Sequence, residues 1–68
     1  MAMKKYSVKI ANHPSSISLE EEFWIVLKNI AQNQRKSLNA LVTEIDKKKE
    51  TDNLSSAIRV YILKHMQE

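Results

Sequence analysis

Ser16-Ile17-Ser18-Leu19-Glu20-Glu21-Glu22-Phe23-Trp24 changes its period halfway through. Up to Leu19 the residues alternate, with Ile17 and Leu19 on one side and Ser16 and Ser18 on the other. That is the pattern of a half-buried strand, and it covers residues 15–19. From Glu20 the period lengthens. Glu20-Glu21-Glu22 places acid where a helix N-terminus favours it, and Ser18 followed by Glu21 has the spacing of a capping box. Phe23, Val26, Leu27, Ile30 and Ala31 then form an apolar stripe at helical spacing. The first helix is expected over about 20–33, directly after a short strand.

The pattern extends in both directions. Upstream, Lys5-Tyr6-Ser7-Val8-Lys9-Ile10 alternates again, so a strand is expected over 5–10. Ala11-Asn12-His13-Pro14 breaks it. Downstream, Gln32-Asn33-Gln34-Arg35-Lys36 is a polar connection and Ser37 is a good N-cap. Leu38, Leu41, Val42 and Ile45 mark a second helix over about 38–49, with Lys47-Lys48-Lys49 matched to its C-terminal dipole. Asp52 or Asn53 can cap a third helix over about 54–66. Leu54, Ala57, Ile58, Tyr61, Ile62 and His65 line one face of it, and Val60 and Leu63 widen that face.

Composition narrows the function classes. The 68 residues make one domain, residues 1–68, with a marginal core that is expected to need a staple. Without cysteine there is no disulfide and no thiolate metal site, so a partner chain is the remaining staple. Without glycine, the phosphate-cradling loops of nucleotide-binding folds cannot form. The charge of +3 is compatible with a nucleic-acid partner. No apolar run reaches the length of a membrane span. No leader-like run follows Met1-Ala2-Met3-Lys4-Lys5, so a cytoplasmic protein is expected.

A five-residue strand cannot satisfy its own backbone groups. The expected partner is the same strand from a second copy, antiparallel about a two-fold axis. Ile17, Leu19, Phe23, Trp24, Leu27, Leu41, Ile45, Ile58 and Ile62 are then the expected core of a homodimer. A two-stranded ribbon of this kind fits the major groove of double-stranded DNA.

Three stretches in order carry a family resemblance. They are Ser16 to Trp24, then Ile30-Ala31, then Ser37-Leu38-Asn39-Ala40-Leu41. The chain resembles the ribbon-helix-helix proteins related to the Arc and methionine repressors. It is closest to a small, uncharacterised bacterial subfamily that ends in an Asn-Leu-Ser-Ser-Ala-like helix. The resemblance implies a mainly α fold with a short N-terminal β-ribbon, an intertwined dimer and an extra C-terminal helix. It also implies a transcription regulator that binds DNA as a dimer or a pair of dimers. By position it assigns Pro14, Ser16 and Ser18 to the base-facing side of the ribbon. It assigns the turn at Ser37, Leu38 and Asn39 to a DNA phosphate, in line with the anion affinity of a helix N-terminus. Arg35 and Lys36 lie close enough to reach the same backbone, and Lys4, Lys5 and Lys9 are further phosphate contacts. The sequence departs from the family at the ribbon, where a proline and two serines replace residues that read bases bidentately. Pro14 is expected to mark the ribbon's end.

Other constellations favour structural explanations. Trp24 is expected in or beside the core rather than on a base, and Lys47-Lys48-Lys49 as a solvated helix end. His13 and His65 lack ligand spacing, so no metal and no cofactor are expected. No acid, base and nucleophile come together, so the chain is not expected to be an enzyme. A protein-interaction module on the same fold is the alternative, and an antitoxin-like component a further one.

Overall fold

A computed structural model describes residues 3–67. Strands β1 (Met3–Ile10) and β2 (His13–Glu20) are followed by helices α1 (Glu21–Asn33), α2 (Leu38–Lys48) and α3 (Leu54–Met66). The expected N-terminal ribbon and extra C-terminal helix are both present. The partner of β2 is β1 of the same chain, in an antiparallel hairpin that pairs Ile10 with His13, Tyr6 with Ile17 and Met3 with Glu20. The backbone need that pointed to a twin strand is thus met within one molecule.

A two-residue turn makes this possible. Ala11 (φ 51°) and Asn12 (φ 70°) both lie in the left-handed region, as a turn matched to strand twist requires. Both strands run longer than their alternation suggested. Pro14 lies inside β2, opposite Lys9, rather than at the ribbon's end. The reason is the ladder. The turn closes on the hydrogen-bonded pair Ile10–His13, so Lys9 and Pro14 form the next, non-hydrogen-bonded pair, whose N–H groups point away from the hairpin. The missing N–H of Pro14 therefore faces outward and costs no ladder bond.

One helix buttresses each edge of the hairpin. On the β1 edge, Lys9 N–H donates to Asn39 Oδ1 (2.9 Å) and Ala11 N–H to Thr43 Oγ1 (3.0 Å), both on α2. On the β2 edge, Ser55 Oγ of α3 donates to the Ser18 carbonyl (2.7 Å). The outward-turned backbone groups of these residues thereby find partners.

The inner face of the hairpin supplies Val8, Ile17 and Leu19 to a core with Leu27, Ile30, Ala31, Leu41, Val42, Ile45, Ile58 and Ile62. Leu19, Leu27, Leu41, Val42 and Ile58 are fully buried within the single chain. Phe23 and Trp24 are half-buried against this core. The Trp24 ring lies parallel to Tyr6 at 4.0 Å between centroids, which seals the flank between β1 and α1.

The helix ends follow local chemistry, with one exception. Ser37 caps α2, its Oγ accepting from Ala40 N–H (3.0 Å), and Asn53 caps α3 by accepting from Ser56 N–H (3.1 Å). The capping box read at Ser18 and Glu21 does not form. Ser18 remains in β2, and Glu20 occupies the cap position of α1 without a side-chain cap bond. Its carboxylate is held by Arg59, whose Nε (3.0 Å) and Nη2 (2.9 Å) both donate to one oxygen. The end of α1 is a Schellman turn without glycine. Lys36 N–H donates to Ala31 O (2.9 Å) and Arg35 N–H to Gln32 O (3.1 Å), with Arg35 left-handed at φ 57°.

Candidate nucleic-acid interface

Residues facing one another across an antiparallel pair share a face, so the register defines the outer surface of the ribbon. Besides Met3 opposite Glu20, three rungs lie on it: Lys5 opposite Ser18, Ser7 opposite Ser16, and Lys9 opposite Pro14. Ser18 is half-buried and the other five are exposed. The base-facing residues read from the sequence, Pro14, Ser16 and Ser18, therefore share one surface with Lys5 and Lys9. Glu20 ends the same row, but its charge is taken up by Arg59. Its own backbone N–H, first, and the Arg59 guanidinium hold its carboxyl below the usual carboxylate range. The face is left with two lysines and no unpaired carboxylate.

Lys4 is placed differently. It alternates with Lys5, opposite Leu19 on the other side of the ribbon, and its ammonium pairs with Glu21 at 2.9 Å. The hydrogen bond to Glu21 raises the Lys4 pKa and lowers that of Glu21. Lys4 is thus separated from Lys5 and Lys9 by both direction and pairing.

The second cluster is the start of α2. The Ser37 side chain satisfies Ala40, while the backbone N–H groups of Leu38 and Asn39 have no partner among the described residues. No acid lies in the first turn of α2. The Asn39 side chain accepts from Lys9 N–H, so this helix end adjoins the Lys9 end of the ribbon. Ribbon face and helix terminus form one continuous region, although they lie 30 residues apart in sequence. Arg35 is exposed on the turn before it. The Lys36 ammonium is committed to Glu44, and this contact is the largest cause of the lowered Glu44 pKa. Of the two basic residues read beside this terminus, only Arg35 lacks an acidic partner among the described residues.

The remaining candidates lie elsewhere. Lys48 pairs with Glu44 (3.4 Å) and Lys49 with Asp46 (2.7 Å), as a solvated helix end would. His13 opens β2, and His65 sits near the end of α3, stacked against Tyr61. Ile17, Leu19, Leu27, Leu41, Ile45, Ile58 and Ile62, read as the core of a dimer, are buried in one chain.

The sequence groups Lys5, Ser7 and Lys9 on one face, either a second DNA-facing strand or an edge kept soluble by lysine, but it does not set Ser7 opposite Ser16. The signal was available by counting. A two-residue turn at Ala11-Asn12 sets Ile10 against His13, and three steps back set Ser7 against Ser16.

Among the described residues no helix is long and apolar enough to cross a membrane. The chain matches a family profile described as a ribbon-helix-helix domain over residues 3–66. No curated protein and no solved structure gives a match. With nearly its whole length matched and a hairpin followed by three helices in the expected order, the chain belongs to the ribbon-helix-helix domain family.

Proposed function

We propose that this protein is a DNA-binding transcription regulator of the bacterial cytoplasm that lays the outer face of its ribbon in the major groove. The observation that carries this reading is the face itself. Lys5 and Lys9 lie on either side of the serines, with no unpaired acid, and the face runs into the open N-terminus of α2. Lysines and helix N–H groups bind phosphate without regard to sequence, and serine hydroxyls meet base edges as donor or acceptor. Pro14, Ser16 and Ser18 then face bases. Lys5, Lys9, Arg35 and the N–H groups of Leu38 and Asn39 face phosphates. Lys4 and Lys36 contribute only after leaving Glu21 and Glu44.

A homodimer, or a pair of dimers, places a ribbon on each half of a two-fold operator. In support, α3 leaves Val60 (48 %), Leu63 (58 %) and Met66 (69 %) exposed, apolar surface suited to self-association. The same surface favours a second reading, in which the chain serves as a protein-interaction module and α3 docks a different protein.

Fluorescence anisotropy on random duplex DNA at rising salt tests the reading. Binding should weaken steeply as salt rises. The Lys5→Ala/Lys9→Ala variant should lower the slope of log K against log salt by about 1.8 per bound chain. Absent or salt-insensitive binding refutes DNA binding and leaves the interaction module.

A further inference from the structure

We propose that the cleft between α2 and α3 binds a small organic anion, a monocarboxylate with an apolar body, and that Glu44 links its occupancy to the N-terminus of α2. The site itself is argued from the cleft alone. The link rests on the DNA-binding reading above.

The cleft measures about 290 Å³, and its floor is Ile45, Ala57, Val60 and the ring of Tyr61. The Tyr61 hydroxyl accepts from Gln34 Nε2 at 3.1 Å, so the phenol end is held toward α1 and the ring is left as a wall. Val60 stays half-exposed beside the buried Ile45, which leaves the floor open to solvent. An apolar recess with a few polar groups at its rim is the ordinary form of a small-molecule site, and this volume suits a small ligand.

The rim decides the charge. It carries Lys48, Lys49 and Lys64 together with Glu44 and Glu50. Lys49 is held by Asp46. Glu44 gives one oxygen to Lys36, outside the lining, and the other to Lys48 at 3.4 Å. Lys64 has no acidic partner among the described residues. With these partners included, Lys36, Lys48, Lys49 and Lys64 stand against Glu44, Asp46 and Glu50, an excess of one positive charge. That excess suits one carboxylate and not two. The last carbonyls of α2 and the Glu50 charge just beyond them repel an anion from the loop end. The ligand carboxylate therefore lies toward Lys64 and the Lys48 ammonium, which reaches back one turn to Glu44.

Ser55 and Arg59 of α3 touch β2, whereas Ala57, Val60, Tyr61 and Lys64 line the cleft from the far side of the same helix. Pairing of a second copy along β2 and occupation of the cleft thus use different sides of α3.

Glu44 supplies the link because it holds two lysines with different duties. Lys36 adjoins the Ser37 cap at the phosphate-facing end of α2, and Lys48 belongs to the cleft. A phosphate that draws Lys36 away leaves Glu44 to Lys48 alone, which withholds Lys48 from the ligand and exposes the ligand to the Glu44 charge. A ligand that draws Lys48 away leaves Glu44 to Lys36 alone, which withholds Lys36 from phosphate. The two occupancies oppose each other, and by linkage each weakens the other by the same factor. Exposed ion pairs set that factor at about 1.5- to 5-fold.

The test titrates the full chain with phenylacetate, followed by NMR of its amide and methyl signals. Acetate lacks the apolar body and phenylacetamide lacks the charge. Phenylacetate should move the signals of Ile45, Ala57 and Val60 to saturation, acetate should not, and phenylacetamide should bind more weakly. Lys64→Gln should weaken phenylacetate by about 1.5- to 5-fold and leave the amide unchanged, while Glu50→Gln should tighten phenylacetate. Both side chains are exposed, so an unchanged melting temperature certifies the fold. In anisotropy on random duplex DNA at fixed ionic strength, saturating phenylacetate should lower affinity by about 1.5- to 5-fold relative to acetate. Glu44→Gln should abolish that difference and still bind phenylacetate.

Equal affinity for phenylacetate and its amide, failure to saturate, or an inert Lys64→Gln overturns the site. Floor signals that shift on dilution of the protein alone place a second copy in the cleft and overturn it too. Unchanged DNA affinity at saturating phenylacetate, in protein that binds DNA, overturns the link through Glu44. Absence of DNA binding removes the functional reading and the link with it, while the spectra still decide the site.

Discussion

Replacing Ala11 by glycine should stabilise the protein, whereas the same replacement at Ala57 should destabilise it. Ala11 holds a left-handed backbone at φ 51°. Its Cβ approaches the following carbonyl there, which costs about 1–2 kcal/mol in an L-residue. Glycine removes that cost but makes the unfolded chain more flexible, which offsets about 0.4–1 kcal/mol. The net gain is about 0.5–1 kcal/mol. For a domain of this size, each kcal/mol moves the melting temperature by about 4–8 °C. The hydrogen bond from Ala11 N–H to Thr43 is a main-chain donation and survives the change. Ala57 lies inside α3, half-buried, with its N–H bonded to the Asn53 carbonyl. Glycine there should cost about 1 kcal/mol from helix propensity, and more from lost packing. Thermal unfolding followed by far-ultraviolet circular dichroism, with urea titration as a cross-check, reads both. A fall in stability for Ala11→Gly comparable to that for Ala57→Gly would show that no backbone strain is stored in the turn, and the hairpin geometry argued above would be wrong.

Three further outcomes follow from the same contacts. Thr43→Val removes the acceptor for Ala11 N–H and should cost about 0.5–1.5 kcal/mol in urea unfolding, while Thr43→Ser, which keeps the hydroxyl, should cost less. Arg35→Gly should stabilise the α1–α2 turn by up to about 1 kcal/mol, since glycine suits the left-handed position after a helix; the same variant should weaken DNA binding, separating stability from function. In acid, Glu20, Glu21 and Glu44 have folded-state pKa values below their ordinary ones, so their contribution is complete above the ordinary carboxylate value of 4.5 and is lost as pH falls through the lowered values. Urea midpoints should therefore decline below about pH 4.5, and Glu20→Gln should flatten part of that decline; an identical profile in the variant would count against the Glu20–Arg59 pair.

The helices were legible in the sequence because each carries its own signal. Leu41, Val42 and Ile45 repeat at helical spacing behind the Ser37 cap, and Ile58 and Ile62 do so behind Asn53. Both strands were legible as alternation. Their pairing was not, for a local reason. Tight hairpins are usually marked by Asn-Gly or Asp-Gly, whose glycine accepts a positive φ. This chain has no glycine and turns on Ala11-Asn12, so the segment reads as a plain break. Pro14 reinforced that impression, because only the ladder phase reveals that its missing N–H faces outward. The Ser18–Glu21 spacing failed as a cap because Ser18 stays in β2, opposite Lys5, and the Glu21 carboxylate is taken by Lys4.

The missed pairing changes what the lysines of β1 mean. Read as a separate strand, Lys5 and Lys9 serve equally well to keep an edge soluble. In register with β2 they fall beside Ser18 and Pro14, on the surface that the family resemblance marks as base-facing. The helices then fix the orientation of that surface. Asn39 and Thr43 of α2 grip one edge of the hairpin, and Ser55 and Arg59 of α3 grip the other strand at Ser18 and Glu20. Loosening either grip should tilt the ribbon relative to the α2 N-terminus. Variants at Asn39 and Ser55 are thus expected to weaken DNA binding, although the Ser55 side chain lies outside the proposed contact face.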